Sequence, residues 1–409
     1  MQDTSSRRIA PILGALGALG PLSIDMYLPA MPQIAASLNV GEGQVQFSLM
    51  SFFAGLMIGQ LFYGPISDSI GRKPVIYAGL LLFIIGSIGS ITAATAEQLA
   101  AWRFIHGLGG SAGMVMGLAI VRDLYTGQMA AKLIAMMMLV FGVAPILAPL
   151  LGSAIIAVAP WQALFGALAL FGVADLVLVW IALPETRMEE LRAASRPLDA
   201  ARNYAHLLAS RRFLPYVAVT AFSQAGFFAY LAGSSFVFIS LHGLTPAAYS
   251  AVFAVNSIGL MAAAQTAPWL MGRFQPQTIV RASVVIYAAT AVLLAAVDMA
   301  GGASLAMLAV SLFVIIAARA VVMPICSVMA LESYGAISGT ASALLGALQF
   351  GAGTFASFIV GATANGAALP MIAAIAACGI AACIVAFAAF PKPASTLAQE
   401  RRPEPASAP

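Results

Sequence analysis

Five ionisable side chains lie inside long apolar runs of this sequence: Asp25, Arg103, His106, Asp175 and Arg319. An ionised group in hydrocarbon is costly, so each one calls for a physical reason. Asp25 lies four residues before its run ends near Pro29, and Arg103 five residues after its run begins near Gln98. At 1.5 Å per residue both sit roughly 6–8 Å below the same membrane edge. A carboxylate whose arginine partner comes and goes has a variable proton affinity, which is what proton coupling requires. The plainer reading is a static pair that pins two helices. His106 follows one turn after Arg103 on the same helix face. It is either a proton relay or a hydrogen-bonding cavity residue, its unperturbed pKa being about 6.5. Asp175 lies roughly 21 Å into its run, either protonated, bonded to a neighbouring helix, or active in transport. Arg319 is at similar depth. It either snorkels to the surface or lines a cavity and attracts anionic substrates.

The elements that carry these residues follow from composition. The chain of 409 residues is 61% hydrophobic and 8% charged, whereas a soluble domain is about a quarter charged. Lipid is therefore the expected solvent. The spacing predicts twelve membrane-spanning helices, beginning near Ile9, Val45, Val75, Gln98, Lys132, Trp161, Phe213, Pro246, Thr278, Ala303, Ile337 and Ala367. A polar break holding Arg187, Arg192, Arg196, Arg202, Arg211 and Arg212 cannot span a bilayer. It divides the chain into a six-helix half at 1–183, a linker at 184–212, a second six-helix half at 213–390, and a Pro-, Ala- and Ser-rich tail at 391–409 expected to be disordered.

Basic residues set the orientation. With the N-terminus inside, Arg7, Arg8, Arg72, Lys73, Arg122, Lys132, the linker arginines, Arg273, Arg281, Lys392, Arg401 and Arg402 all fall inside, and the outer loops contain no lysine or arginine. Both termini are thus expected in the cytoplasm. A net charge of +4, scattered along the chain, gives no basis for nucleic-acid binding. Cys326, Cys378 and Cys383 lie in apolar runs and suggest neither disulfides nor a metal site. No metal-ligand cluster and no phosphate-cradling loop is visible, so the sequence does not read as an enzyme, and uphill transport would draw on an ion gradient.

Glycine and proline patterns are mechanical. Gly142, Pro145, Pro149 and Gly152 recur at spacings of three, four and three, which predicts one smooth face on a bent fifth helix. Gly339, Gly346 and Gly353 recur at a heptad spacing on the eleventh. Helix 2 ends in Gly64-Pro65-Ile66-Ser67-Asp68-Ser69-Ile70-Gly71-Arg72-Lys73-Pro74, and helix 8 ends in a worn copy, Gly272-Arg273. Repeated halves with a midplane site are common in secondary transporters.

The Gly64–Pro74 stretch resembles the G-x-x-x-D-x-x-G-R-K/R signature of the major facilitator superfamily. Arg103-Phe104-Ile105-His106-Gly107 resembles its helix 4 motif R-x-x-Q-G, with His106 in place of glutamine, and Ala144–Gly152 is similar to the antiporter motif. Asp25–Pro32 and Gly339–Gln349 resemble the twelve-helix drug:proton antiporters of Bcr/CflA type. The resemblance implies an all-α integral membrane protein of major facilitator fold, two pseudo-symmetric halves around a cavity that opens alternately to each side. It implies a proton-coupled carboxylate at Asp25 with a coupled arginine at Arg103. It implies a latch of Gly64, Asp68 and Arg72, with Arg72 near Asp123. Residue type nominates Tyr27, Gln224, Phe228, Tyr230, Asn256 and Gln349 as cavity lining, since amphipathic ligands need aromatic walls and a few polar groups. The expected protein is a monomeric exporter of amphipathic antibiotics or other toxic compounds in a bacterial inner membrane, with the proton as coupling ion and no cofactor. An exporter of an endogenous metabolite or sugar, or a non-transporting membrane sensor, are the alternatives.

Overall fold

A computed structural model describes residues 2–190 and 197–390. The expected disordered tail, and Arg192 and Arg196 of the linker, lie outside the described residues. Among the described residues, twelve helices are long and apolar enough to cross a membrane. We number them α1 (Gln2–Asp25), α2 (Glu42–Ile70), α3 (Arg72–Ile91), α4 (Ala96–Leu124), α5 (Gly127–Val158), α6 (Gln162–Ala182), α7 (Leu214–Ser235), α8 (Pro246–Met271), α9 (Pro276–Gly301), α10 (Leu305–Leu331), α11 (Ser338–Ala362) and α12 (Leu369–Ala389). A linker helix covers Pro197–Ala209. Several helices begin a few residues before the apolar run does, because helical hydrogen bonding continues through polar residues beyond the hydrocarbon.

The halves repeat one another pair by pair. In the first, α1 packs on α4, α5 and α6, α4 on α2 and α3, and α3 on α6. Adding six to each number gives the second: α7 on α10, α11 and α12, α10 on α8 and α9, and α9 on α12. The halves meet along two principal seams, α2 on α11 and α5 on α8. These seams interchange under the same shift, as a two-fold relation requires.

Local chemistry shapes the parts that matter. The first apolar run is not one continuous α-helix. It stops at Asp25, passes through a tight turn at Leu28–Ala30, and resumes over Met31–Leu38. Pro29 and Pro32 lack the N–H groups that would close the turns onto the carbonyls of Asp25 and Leu28, so the helix breaks beside its own carboxylate. Between α2 and α3, Gly71 alone makes the reversal, with φ of 106°, a conformation that a side chain would strain. Tight crossings of α4 follow from small residues. A Cβ added at Gly107 would meet the Phe52 carbonyl oxygen at 2.1 Å, and one at Gly113 would meet that of Leu16 at 2.1 Å. These contacts bring α1 and α2 close enough to enclose Arg103 and His106.

Candidate functional site

We call the end that carries the linker and Gly71 the linker end, and the opposite one the far end. Arg103 projects from α4 near the far end and is fully buried. Its guanidinium carbon lies 4.1 Å from the ring centre of Phe52, 4.6 Å from that of Tyr27 and 5.7 Å from that of Phe165. Nη2 donates to the Ser23 carbonyl at 3.1 Å, and Nη1 faces His106 Nδ1 at 3.1 Å. Aromatic faces thus supply much of the negative potential that a carboxylate would otherwise give.

The hydrogen bonds around His106 assign its tautomer. Ser23 Oγ donates to Leu19 O at 2.7 Å and Ser87 Oγ donates to Phe83 O at 2.8 Å. Both hydroxyl protons are committed, so the two oxygens accept from His106 Nε2, at 3.3 and 3.2 Å. Nδ1 is then left to accept from Arg103. The imidazole is neutral and closed into a network, with Phe83 at 4.3 Å between ring centres. In this geometry both ring nitrogens of His106 are hydrogen-bonded.

Asp25 departs from the expected pairing. The ion pairs among the described residues lie at the linker end, and none joins Asp25 to Arg103. Ser23 and Asp25 are two residues apart on one helix, so when Ser23 faces α4, Asp25 points away from it. Asp25 instead lies within electrostatic reach of the Tyr230 and Tyr249 hydroxyls in the other half. There Asn256 Nδ2 donates to Tyr230 Oη at 3.1 Å, and Ser234 Oγ lies 2.8 Å from Tyr249 Oη. Asp25, Tyr230, Tyr249, Ser234 and Asn256 are all buried. Equal depth along the membrane normal was legible in the sequence; the direction across it was not.

The other nominated residues divide. Tyr27 is engaged inside the first half, its hydroxyl 2.6 Å from Ser48 Oγ and its ring on Arg103. Phe228 crosses the central seam and stacks on Phe53 at 4.2 Å. Gln349 is buried, with Nε2 unpartnered. Gln224 accepts from Arg319 Nη2. Asp175 is buried on α6, with Oδ2 unpartnered; α6 packs on α3 and α1, away from both seams.

The face on α5 is real for three of its four residues. Pro149 has no N–H to give the Pro145 carbonyl, and Ser257 Oγ of α8 reaches that oxygen at 3.3 Å. Ser250 Oγ donates to Pro149 O at 2.9 Å, and a Cβ at Gly142 would meet Met261 Sδ at 3.0 Å. Gly152 differs: its added Cβ would lie 2.3 Å from the Met26 carbonyl oxygen of the same half. It seats the break next to Asp25 instead of extending the face toward α8. The α11 glycines divide as well. Gly346 admits Gln60 of α2, Gly353 admits Phe228, and nothing lies within 4 Å of a Cβ at Gly339.

At the linker end Arg72 is tied to Asp68 at 2.8 Å and to Asp123 at 2.8 Å, and Arg187 reaches the same two carboxylates at 3.6 and 3.8 Å. Glu185 completes this cluster, a residue that the sequence reading passed over. Its carboxylate accepts from the backbone N–H groups of Arg72 and Lys73, at 2.9 and 3.0 Å, where α3 begins and presents unpaired donors. Burial pushes its pKa up, but the N–H groups of Arg187, Arg72, Lys73 and Thr186 outweigh that and hold it below the ordinary value. The available signal was an acid immediately after the proline that follows the sixth apolar run. A cavity of about 570 Å³ separates the cluster, with Gly64 and Arg122, from Gly339, Thr340 and Ala343 of α11. At the far end a crevice of about 550 Å³ is lined by Pro29, Ser153, Ile239 and Pro246.

The sequence model of the Major Facilitator Superfamily matches residues 13–357. The chain belongs to that superfamily and is a membrane transporter. It is 35% identical over 360 residues to the MFS-type transporter YdgK of Bacillus subtilis, covering 86% of this chain and 88% of that one. It is 32% identical over 369 residues to the multidrug resistance protein MdtL of Escherichia coli, covering 90% and 91%. It is 30% identical over 369 residues to a bicyclomycin resistance protein homologue of Haemophilus influenzae, covering 90% and 92%. A D-xylose–proton symporter superposes with a TM-score of 0.73 at 17% identity, covering 94% of this chain and 98% of that one.

Proposed function

We propose that this protein exports amphipathic antibiotics or related toxic compounds across a bacterial inner membrane in exchange for protons, working as a monomer. The observation that carries the reading is the position of Asp25. A buried carboxylate sits at a helix break, on the first half, within electrostatic reach of hydroxyls of the second. Its charge state therefore bears on how the halves fit together. The relatives named for bicyclomycin and multidrug resistance support the direction and the class of cargo.

The mechanism follows by linkage. Cargo enters the 570 Å³ cavity at the linker end, which the arginine-rich loops orient to the cytoplasm. Proton binding at Asp25 and cargo binding each favour a different fit of the halves, so each weakens the other, and that reciprocity is antiport. The latch of Asp68, Arg72 and Asp123 biases the population of one state. The test is expression in a pump-deficient bacterium with a broad antibiotic panel. Resistance that disappears in Asp25→Asn, at unchanged membrane abundance, is the expected result. Full resistance in that variant sinks the proton assignment.

A further inference from the structure

Arg319 is a buried cation whose needs the protein leaves unmet. It stands fourteen residues into the 27-residue α10, roughly 21 Å along the helix and near the middle of the membrane. Only 4% of it is exposed, so it does not snorkel. Gln224 accepts one bond from Nη2, and the guanidinium carbon lies 4.4 Å from the Phe227 ring centre. Nε and Nη1, which carry three of the five N–H donors, are buried without a partner. Among the described residues no carboxylate lies within ion-pair distance of it. The Tyr287 hydroxyl from α9 is within electrostatic reach but donates its own proton to Ile375 O at 3.0 Å.

Buried charges in proteins are paired, because desolvation outweighs what one neutral acceptor and one ring return. Arg103 meets the same problem with three rings, a carbonyl and an imidazole, and leaves Nε alone without a partner. Arg319 keeps its donors free behind two half-buried side chains, Gln224 and Phe227. Those two are three residues apart on α7. Tyr230 continues the stripe, 6.0 Å from Phe227 between ring centres, and binds Asn256 of α8. The stripe runs from Arg319 to the polar cluster that faces Asp25.

We propose that Arg319 is the anion-recognising subsite of the transported molecule, and that preferred cargo carries a carboxylate or similar planar oxyanion beside an aromatic body. The guanidinium takes the anion, Gln224 holds the guanidinium in place, and Phe227 with Tyr230 covers the ring. The proposal rests on the efflux reading for the direction of movement and not for the binding.

The experiment uses the full chain in lipid nanodiscs, with heats of binding corrected against empty discs. The probes are naphthylacetate, naphthylethanol and naphthylethylammonium, matched in size and differing in charge. The parent is expected to bind the carboxylate at least about tenfold more tightly than the alcohol or the amine, the margin of one charge-assisted bond. Arg319→Gln is expected to remove that preference while alcohol binding stays within about twofold. Arg319→Lys, which keeps charge and loses the planar donors, is expected to recover part of it. Equal or weaker binding of the carboxylate by the parent overturns the proposal, and this arm needs no variant to fold. Equal loss of all three probes in both variants also overturns it, since Arg319 would then be a packing residue. Selective carboxylate binding without any antibiotic resistance leaves the subsite standing and removes the efflux reading. Resistance confined to cationic drugs, with no carboxylate preference, does the reverse.

Discussion

Arg103 and Arg319 occupy the same helix in the two halves of a repeated fold, α4 and α10, and their surroundings differ. Arg103 is enclosed by Tyr27, Phe52 and Phe165 and bonded to Ser23 and His106. Arg319 has Gln224 and one ring. Both lack a carboxylate partner and both bury Nε without one, but Arg103 has a bond on each terminal nitrogen whereas Arg319 leaves Nη1 free as well. A third arginine sets the scale: Arg72 at the linker end touches two carboxylates directly. The contrast separates three settings of one side chain: enclosed by rings at Arg103, short of partners at Arg319, and paired with carboxylates at Arg72.

The largest effect that would break this comparison is at Arg103. Arg103→Ala leaves the Ser23 carbonyl and His106 Nδ1 buried without a donor, at a cost of about 1–3 kcal/mol for each acceptor. Thermal unfolding in detergent should fall by several degrees, and transport should be lost. A variant with the parent's melting temperature would show that the ring enclosure is not structural.

Next comes the latch. Asp123→Asn removes the more enclosed of the two carboxylates on Arg72, its side chain being 12% exposed against 42% for Asp68. We expect a loss of about 1.5–3 kcal/mol from the state that uses this contact, and a fall in transport rate greater than that from Asp68→Asn. Equal effects of the two, at equal membrane abundance, would remove the ranking. The fold itself should survive both.

His106 offers a finer discrimination. Gln can accept from Arg103 and donate to Ser23 or Ser87, whereas Leu can do neither. His106→Gln should cost about 1 kcal/mol or less and keep the pH dependence of drug-driven proton release. His106→Leu should destabilise more. Loss of the pH dependence in His106→Gln would make the histidine a proton carrier after all.

The smallest expected effect is at Glu185, where the sign is set by the folded state. Its carboxylate is held below the ordinary value of 4.5. The stability it contributes is therefore complete above that value and is lost as pH falls through the lower folded-state value. Melting temperatures of the parent should drop as the pH is lowered below about 4.5, and Glu185→Gln should flatten that part of the curve. An unchanged curve would mean that the cap on α3 does not hold the linker junction.

The sequence by itself determined how many times the chain crosses the membrane, because twenty apolar residues in a row have one cheap solution in lipid. It determined the repeat of the halves and the depth of each buried charge, since helical rise converts residue number into ångströms. It left Ser23, Ser87, Phe52, Phe165 and Phe227 unnoticed, because serine and phenylalanine are ordinary in apolar runs. Only the tertiary structure decided which neighbours each charge meets. Pro29 and Pro32 break the first run at Asp25, and after a break no periodicity carries a direction forward. Asp25 and Arg103, equal in depth, therefore face different halves. Gly152, on the same stripe as Gly142, meets Met26 and not α8. Depth is a property of one helix and can be counted; direction depends on how several helices cross, and their crossings are set by side chains far apart in the chain.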